Sequence, residues 1–383
     1  GNTVNANHPF VARFILECLE YWVREMHVDG FRFDLASALA RDENGQPMHN
    51  PPLLWGIELS DVLAQSEIIA EAWDAAGLYQ VGTFPGYRWM EWNGRYRDSV
   101  RRFVRGDPGI VGEVASRLSG SSDLYQANLR LPINSVNFVT CHDGFTLWDL
   151  VSYEQKHNEA NGEGNRDGCS HNLSWNGGVE GATKDAGILA LRRRQAKNLL
   201  GLLFLSQGVP MLLAGDEVLR SQGGNNNTWC QNNPTGWFDW HLTAENADML
   251  RFVAEMIDLR KRHPSLQRRR FLTGLPKNGK GRADIVWHGL KIDEPGWDDP
   301  RRRTLAFTLA AAEQGEEDLH VIFNMSDNPQ LFDLSECTDR SWHLAVDTAR
   351  PSPEDVFPPQ AQTIVDGCSY RAQARSLVVL ERR

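Results

Sequence analysis

From Pro9 to about Pro264 the chain alternates two kinds of hydrophobic spacing, and this alternation limits the fold more than any other feature. Pro9 suits a first helical position, and Phe10, Phe14, Ile15, Cys18, Leu19, Trp22 and Met26 then recur at three-to-four spacing. His27-Val28-Asp29-Gly30 interrupts them, and Phe31-Arg32-Phe33-Asp34-Leu35 follows with the two-residue period of a strand. Further strands are expected at Glu67–Glu71, Arg88–Trp92, Ser135–Cys141 and Val209–Leu213. Helices are expected from about Arg95 to Val104, from a cap at Asp185 to about Leu205, and from about Ala244 to Arg262. The last has Leu250, Val253, Met256 and Ile257 on one face. Helix and strand in turn imply parallel strands joined by crossover helices.

After about residue 270 the pattern changes. Ile285–Trp287, Leu305–Phe307, Leu319–Phe323, Leu331–Leu334, Trp342–Val346 and Ser376–Leu380 are short runs separated by turns, as in an antiparallel sandwich. The expected division is therefore 1–268, parallel α/β, and 269–383, antiparallel β. Two loops stand out inside the first part. One is an Asn- and Gly-rich stretch at about 144–183, the other runs from Gln222 to Pro234. Loops of this length inside a compact domain are usually functional or disordered.

Hydrophobic residues make up 41% and charged residues 23% of the chain, the proportions of a globular protein. A net charge of −10 without a basic stripe argues against nucleic acid and anionic membrane partners. Arg101, Arg102, Arg105 and the run Arg301–Arg303 are expected to be solvated faces. Cys18, Cys141, Cys169, Cys230, Cys337 and Cys368 lack CxxC spacing and read as reduced thiols of a cytoplasmic protein. No apolar run reaches membrane-spanning length. No metal motif stands out, and no cofactor is expected.

On the strand Phe31–Leu35, Arg32 and Asp34 share the face opposite Phe31, Phe33 and Leu35. Charges on a buried parallel strand are costly unless paired, so the pair reads either as catalytic machinery or as a tie at the strand's end. Glu71 ends the next strand beside Ile68, Ile69, Ala70 and Trp73. That setting favours a raised carboxyl pKa, as a general acid needs, although a strand-end glutamate can also be merely structural. His142-Asp143 follows a third strand. Both side chains reach one pocket only if the strand is already turning there, and Gly144 permits that. Taken together, three strands deliver carboxylates at one end, and two carboxylates flanking one bond are the apparatus of glycoside hydrolysis.

The stretches Asp29–Asp34 (DGFRFD), Glu71–Trp73 (EAW) and Asn137–Asp143 (NFVTCHD) resemble three ordered motifs of the α-amylase superfamily. Finer matches resemble its isoamylase and glycogen-debranching branch: Gly120–Tyr125, His157–Gly164, Asn165–Gly168, Asn172–Trp175, Gly215–Glu217 and Gly224–Asn227. The resemblance covers residues 1–270. It implies the C-terminal half of a (β/α)8 TIM barrel followed by an antiparallel β-sandwich domain. It also implies a retaining hydrolase of α-1,6 branch linkages in glycogen or limit dextrin.

Carried over to this sequence, the resemblance makes Asp34 the nucleophile, Glu71 the acid and base, and Asp143 the stabiliser of the transition state. His142 and Arg32 would hold sugar and nucleophile, and Trp73 would stack on sugar or pack in the core. Trp229 and Trp237 are left between the same two roles. Other α-glucan activities remain open: a pullulanase, an α-1,4-amylase, a transglycosylase, or an inactive glucan-binding remnant. The superfamily's first motif, with its Asp and His, has no match in residues 1–30. Val218-Leu219 and Gly177 also depart from the branch's usual Phe-Gly and Cys. The expectation is thus of a fragment, poorly folded or inactive by itself.

Overall fold

The structure, a computed structural model, describes residues 3–276, 281–335 and 341–383. The chain separates into two compact units. One comprises Gly1–Arg95, Ser119–Asn137 and Arg269–Phe271, and the other Tyr96–Leu118, Phe138–Arg268 and Leu272–Arg383.

In the first unit, helix α1 (Pro9–Arg24) precedes strand β1 (Gly30–Phe33), and helix α2 (Pro52–Leu59) precedes β2 (Glu67–Ala70). Strands β3 (Met90–Trp92) and β4 (Ser135–Phe138) continue a parallel sheet whose order begins β1-β2-β3-β4. Among the described residues β1 is an edge of this sheet. Gly30 pairs with Glu67 and Phe33 with Ala70, so β1 and β2 end at the same level. That pairing needs a glycine at its start, because a Cβ on Gly30 would lie 2.4 Å from the Glu67 carbonyl oxygen. Leu53, Leu54, Ile57, Ile68, Ala70, Phe84 and Trp89 form this unit's core.

Helix α1 departs from its expected face. Leu19 is buried, with Ala12, Ile15, Leu16 and Val23 packed beside it. Phe10 is 80% exposed, and Phe14, Trp22 and Met26 also face solvent. The helix carries more than one apolar stripe, and hydrophobicity alone does not say which one is covered.

The second unit packs α3 (Gly94–Arg105), α4 (Val111–Leu118) and the long helices Ala186–Leu205 and Ala247–Arg262 around one core with the antiparallel strands. Asp185 caps the first long helix, its Oδ1 accepting from the amides of Gly187 (2.8 Å) and Ile188 (3.0 Å). In the second, Met249, Phe252, Val253, Met256 and Leu259 are buried, whereas Leu250, expected on that face, is 39% exposed. Strand β5 is Val209–Met211.

The antiparallel region contains β6 (Ile285–His288), β7 (Thr304–Leu309), β8 (Asp318–Asn324), β9 (Gln330–Asp333), β10 (Trp342–Asp347), β11 (Thr363–Ile364), β12 (Ser369–Ala372) and β13 (Ser376–Arg382). Six of these strands form a sheet in the order β11-β10-β13-β8-β7-β6, and β12 pairs with β9. Because side chains alternate along a strand, Leu305, Phe307, Val321 and Phe323 join the helical core. Ala306, Ile322, Val378 and Leu380 pack instead with Phe332 of β9 and Ala372 of β12, which makes the expected second layer. The change of architecture falls near residue 270, but compactness groups the antiparallel strands with the helices that precede them.

The arginine clusters are not simply solvated. Arg101 is buried, donating from Nε to the Val139 carbonyl and from Nη1 to that of Asn172, both at 2.9 Å. Arg303 donates to the Gly106 carbonyl, while Arg301 stays in solvent. Cys18, Cys141, Cys169, Cys230 and Cys368 carry free thiols, and Cys337 lies outside the described residues. No described helix is long and apolar enough to cross a membrane.

Candidate active site

In the first unit, Asp34 and Glu71 each follow the last residue of a strand, and the register of β1 on β2 places those ends side by side. The Glu71 amide continues the ladder to the Phe33 carbonyl (3.1 Å), and the Ala36 amide returns to the Glu71 carbonyl (2.9 Å). Between them Leu35 adopts a left-handed conformation, φ 41°, which turns the chain sharply after Asp34.

Arg32 ties the two carboxylates together. Its Nη1 lies 2.7 Å from Asp34 Oδ1 and its Nη2 3.1 Å from Glu71 Oε2. The guanidinium also sits over the ring of Trp92, 4.3 Å from its centroid. Glu71 Oε2 accepts a further bond from the Leu35 amide at 2.8 Å. Asp34 is exposed and Glu71 buried. The apolar neighbours read from the sequence are thus only part of the surroundings of Glu71, which include a cation and an amide donor.

Trp73 packs against this unit's core and stacks on Tyr79, the rings 6.1 Å apart and inclined by 10°. One face of the indole is therefore taken. Asp74, which the sequence reading passed over, is buried against Arg41 (2.6 Å) and accepts from the amides of Ala76 and Leu78 (both 3.0 Å). Burial opposes its charge, but Arg41 and those amides outweigh burial and hold the carboxyl below its ordinary pKa. A cleft of about 600 Å³ opens here, lined by Asn5, Leu35, Ala38, Arg41, Glu43 and Asp74. Asp34 and Glu71 are not in its wall.

In the second unit His142 and Asp143 lie beyond the end of β4, which stops at Phe138 rather than at the expected Cys141. The chain is therefore turning at the pair. Both side chains are exposed, with His142 Nε2 3.5 Å from Asp143 Oδ2. Gly144 follows with φ 87°, and its amide donates to the Asn226 carbonyl at 3.0 Å.

The two long loops form one hydrogen-bonded frame around this turn. Asn158 Nδ2 donates to Asn226 Oδ1 (2.9 Å) and receives at Oδ1 the Asn226 amide (2.9 Å). Asn226 Nδ2 reaches the Cys169 carbonyl (2.7 Å) and Asn172 Oδ1 (2.9 Å). Asn161 and Asn227 both donate to Asp167 Oδ2, at 2.7 and 2.8 Å. Asn158, Asn172, Asn225 and Asn226 are buried, so their amides are committed to holding loops rather than to reading sugar hydroxyls. Arg192 fastens the far end of the longer loop, donating to the carbonyls of Asn176 (2.9 Å) and Gly181 (2.6 Å).

Asp216, of the GDE stretch, is fully buried beneath the same turn. It accepts from the Leu147 amide (2.9 Å) and from the Thr140 hydroxyl. Burial pushes its carboxyl up to about 7, with those two donors opposing the shift. Neither its role nor that of Arg101 is visible in spacing or composition, because each depends on which backbone groups the fold leaves unpaired.

Residues 286–378 match the family described as "Isoamylase 1-3, C-terminal". The chain is 46% identical to isoamylase 3, chloroplastic, of Oryza sativa subsp. japonica, over 100% of this chain and 47% of that protein. It is 45% identical to a glycogen operon protein GlgX homolog of Mycobacterium tuberculosis, over 100% of this chain and 54% of that one. The type I pullulanase of Bacillus subtilis str. 168, solved in complex with maltose, shares its fold. The TM-score is 0.70 at 21% identity, covering 100% of this chain and 47% of the pullulanase. The chain spans about half the length of the curated relatives it matches.

The family match and the two relatives place the chain in the α-amylase superfamily, and its parallel strands followed by antiparallel sheets agree with that. Within that superfamily the relatives fix its place: it belongs to the isoamylase and glycogen-debranching branch.

Proposed function

We propose that this protein acts as a retaining glycoside hydrolase on α-1,6 branch linkages of glycogen or limit dextrin. The reading extends to it the activity in the relatives' names, and one local observation carries it. A single guanidinium, Arg32, holds Asp34 and Glu71 together at the ends of adjacent parallel strands.

In this reading Asp34, exposed and paired with Arg32, attacks the anomeric carbon and forms a glycosyl ester as the branch oxygen leaves. Glu71 gives that oxygen its proton, then takes one from the water that hydrolyses the ester. The anomeric configuration is inverted twice and so retained. Asp143 stabilises the oxocarbenium-like transition state, His142 bonds a sugar hydroxyl, and Trp73 offers its remaining face to a sugar. Residues 1–268 would form the C-terminal portion of a (β/α)8 barrel and 269–383 a β-sandwich domain, with the protein working on cytoplasmic glycogen.

The test is digestion of phosphorylase-limit dextrin beside linear maltodextrin, with product anomers followed by proton NMR. Cleavage of the branched substrate, releasing α-anomers first, is expected. Attack on the linear chain alone, or release of β-anomers, would overturn the reading.

A further inference from the structure

Trp229, Trp237 and Trp240 lie within twelve residues of one segment, and the fold leaves all three in solvent, 78%, 57% and 75% exposed. The choice between core packing and ligand stacking, open from sequence, is thereby decided against the core. Tryptophan is highly buried on average, so three exposed indoles in one segment call for something to cover them.

Two of the rings are held in place. Trp237 Nε1 donates to Asn232 Oδ1 at 3.0 Å, and Trp240 stands edge-on to Phe238 with centroids 4.7 Å apart. A ring fixed before its ligand arrives loses little rotamer freedom on binding. The backbone beneath is fixed as well. The Trp237 amide donates to the Asn233 carbonyl (3.0 Å), and Asn233 Nδ2 to Gln231 Oε1 (2.7 Å). Gln231 Nε2 donates in turn to the Ala160 carbonyl (3.0 Å) and Asn161 Oδ1 (2.7 Å). The segment is thus bolted to the loop that follows Asp143.

Beside Trp237 lies a cleft of about 400 Å³, its wall including Trp148, Arg220, Ser221, Asp239 and Asn246. Indole faces next to hydroxyl, amide, guanidinium and carboxylate groups suit a ring with one apolar face and a rim of hydroxyls.

We propose that the Trp229–Trp240 segment is a binding platform for an α-glucan chain of several glucose units, with Trp237 as its principal stacking face. The choice of α-glucan rests on the debranching reading; the platform itself needs no turnover.

The test is affinity electrophoresis of the protein in native gels containing glycogen, linear maltodextrin or a β-1,3-glucan. Glycogen and maltodextrin are expected to retard the wild-type protein and the β-glucan not to. Trp237→Ala should raise the dissociation constant about tenfold or more, as loss of a central aromatic contact does. Trp237→Phe should recover most of the binding. Asp34→Asn should be retarded like the wild type. Thermal melts matching the wild type would show that the variants fold.

Absence of retardation in the wild type, equal retardation by the β-glucan, or unchanged retardation of both Trp237→Ala and a Trp229→Ala/Trp240→Ala double variant would each overturn the platform. Failure of debranching reads out separately. Limit dextrin would then release no reducing ends, while tryptophan-dependent retardation would persist.

Discussion

Arg32 Nη2 lies 3.1 Å from Glu71 Oε2, and the other terminal nitrogen of the same guanidinium is 2.7 Å from Asp34. One side chain therefore sets both the spacing and the charge balance of the two carboxylates. Nη1 donates a hydrogen bond to Asp34 while Nη2 meets Glu71 as an ion pair, and the planar guanidinium fork can face both carboxylates where an ammonium cannot. Arg32→Lys should lower kcat on limit dextrin about 100-fold or more with a smaller change in KM. Steady-state kinetics would check this, and near-normal kcat would show that the fork is only a structural tie.

Glu71→Gln removes the transferable proton and leaves the shape. On the proposed mechanism kcat should fall by about 10²–10⁴-fold. An activated substrate with a good leaving group should regain much of the first step, because it needs no protonation. Burst kinetics with an aryl glycoside would detect the trapped glycosyl-enzyme. Unchanged turnover would remove Glu71 from the acid role.

Asp216 makes a pH prediction whose sign runs opposite to that of most carboxylates. Its folded pKa, about 7, is above the ordinary 3.8, so between these values the folded protein holds a proton that the unfolded chain has released. Stability from this group therefore falls as pH rises from about 4 to 7 and is lowest above 7. Asp216→Asn imitates the protonated form, since its oxygen can accept from Leu147 and its amide can donate to Thr140. The loss of Tm between pH 5 and pH 8 should be smaller in the variant by about 2–5 °C. Parallel melts at the two pH values decide the matter.

Arg101 is a buried cation answered mainly by carbonyl oxygens, and burial pulls its pKa down to about 10. Arg101→Ala would strand the carbonyls of Val139 and Asn172. A loss of about 2–4 kcal/mol in urea unfolding is expected. An effect below about 0.5 kcal/mol would mean that water replaces the guanidinium freely.

Asn226→Ala should loosen the frame without collapsing the core. Amides of residues 157–172 should exchange hydrogen faster, and KM for limit dextrin should rise about threefold to tenfold, because the Asp143 turn leans on the Asn226 segment. Exchange mass spectrometry and kinetics together test this.

The sequence disclosed the strands and the charges on them more readily than the supports beneath. Period-two spacing found the strand but ran it to Leu35, whereas it stops at Phe33 and turns at Leu35; the register then delivered Asp34 and Glu71 to a common level. The face of α1 was misjudged because Phe10 and Leu19 are equally apolar, yet only Leu19 finds a cover. Helix α2 went unseen, its Pro51-Pro52 start resembling a turn and its eight residues being too few for a clear period. Arg101, Asp216 and the asparagines bond mostly to groups far along the chain, often backbone, and such partners leave no mark in local spacing. Trp92 beneath Arg32 belongs to the same class.

The frame around the Asp143 turn is joined mostly through uncharged amides and carbonyls, with Asp167 and Arg192 its ionised members among the bonds described above. Dissolved electrolyte weakens attraction between ions but has little to act on in bonds of this kind. The loops should therefore keep their shape as ionic strength changes, so that the turn they carry is set by the frame's own bonds and not by the surrounding electrolyte.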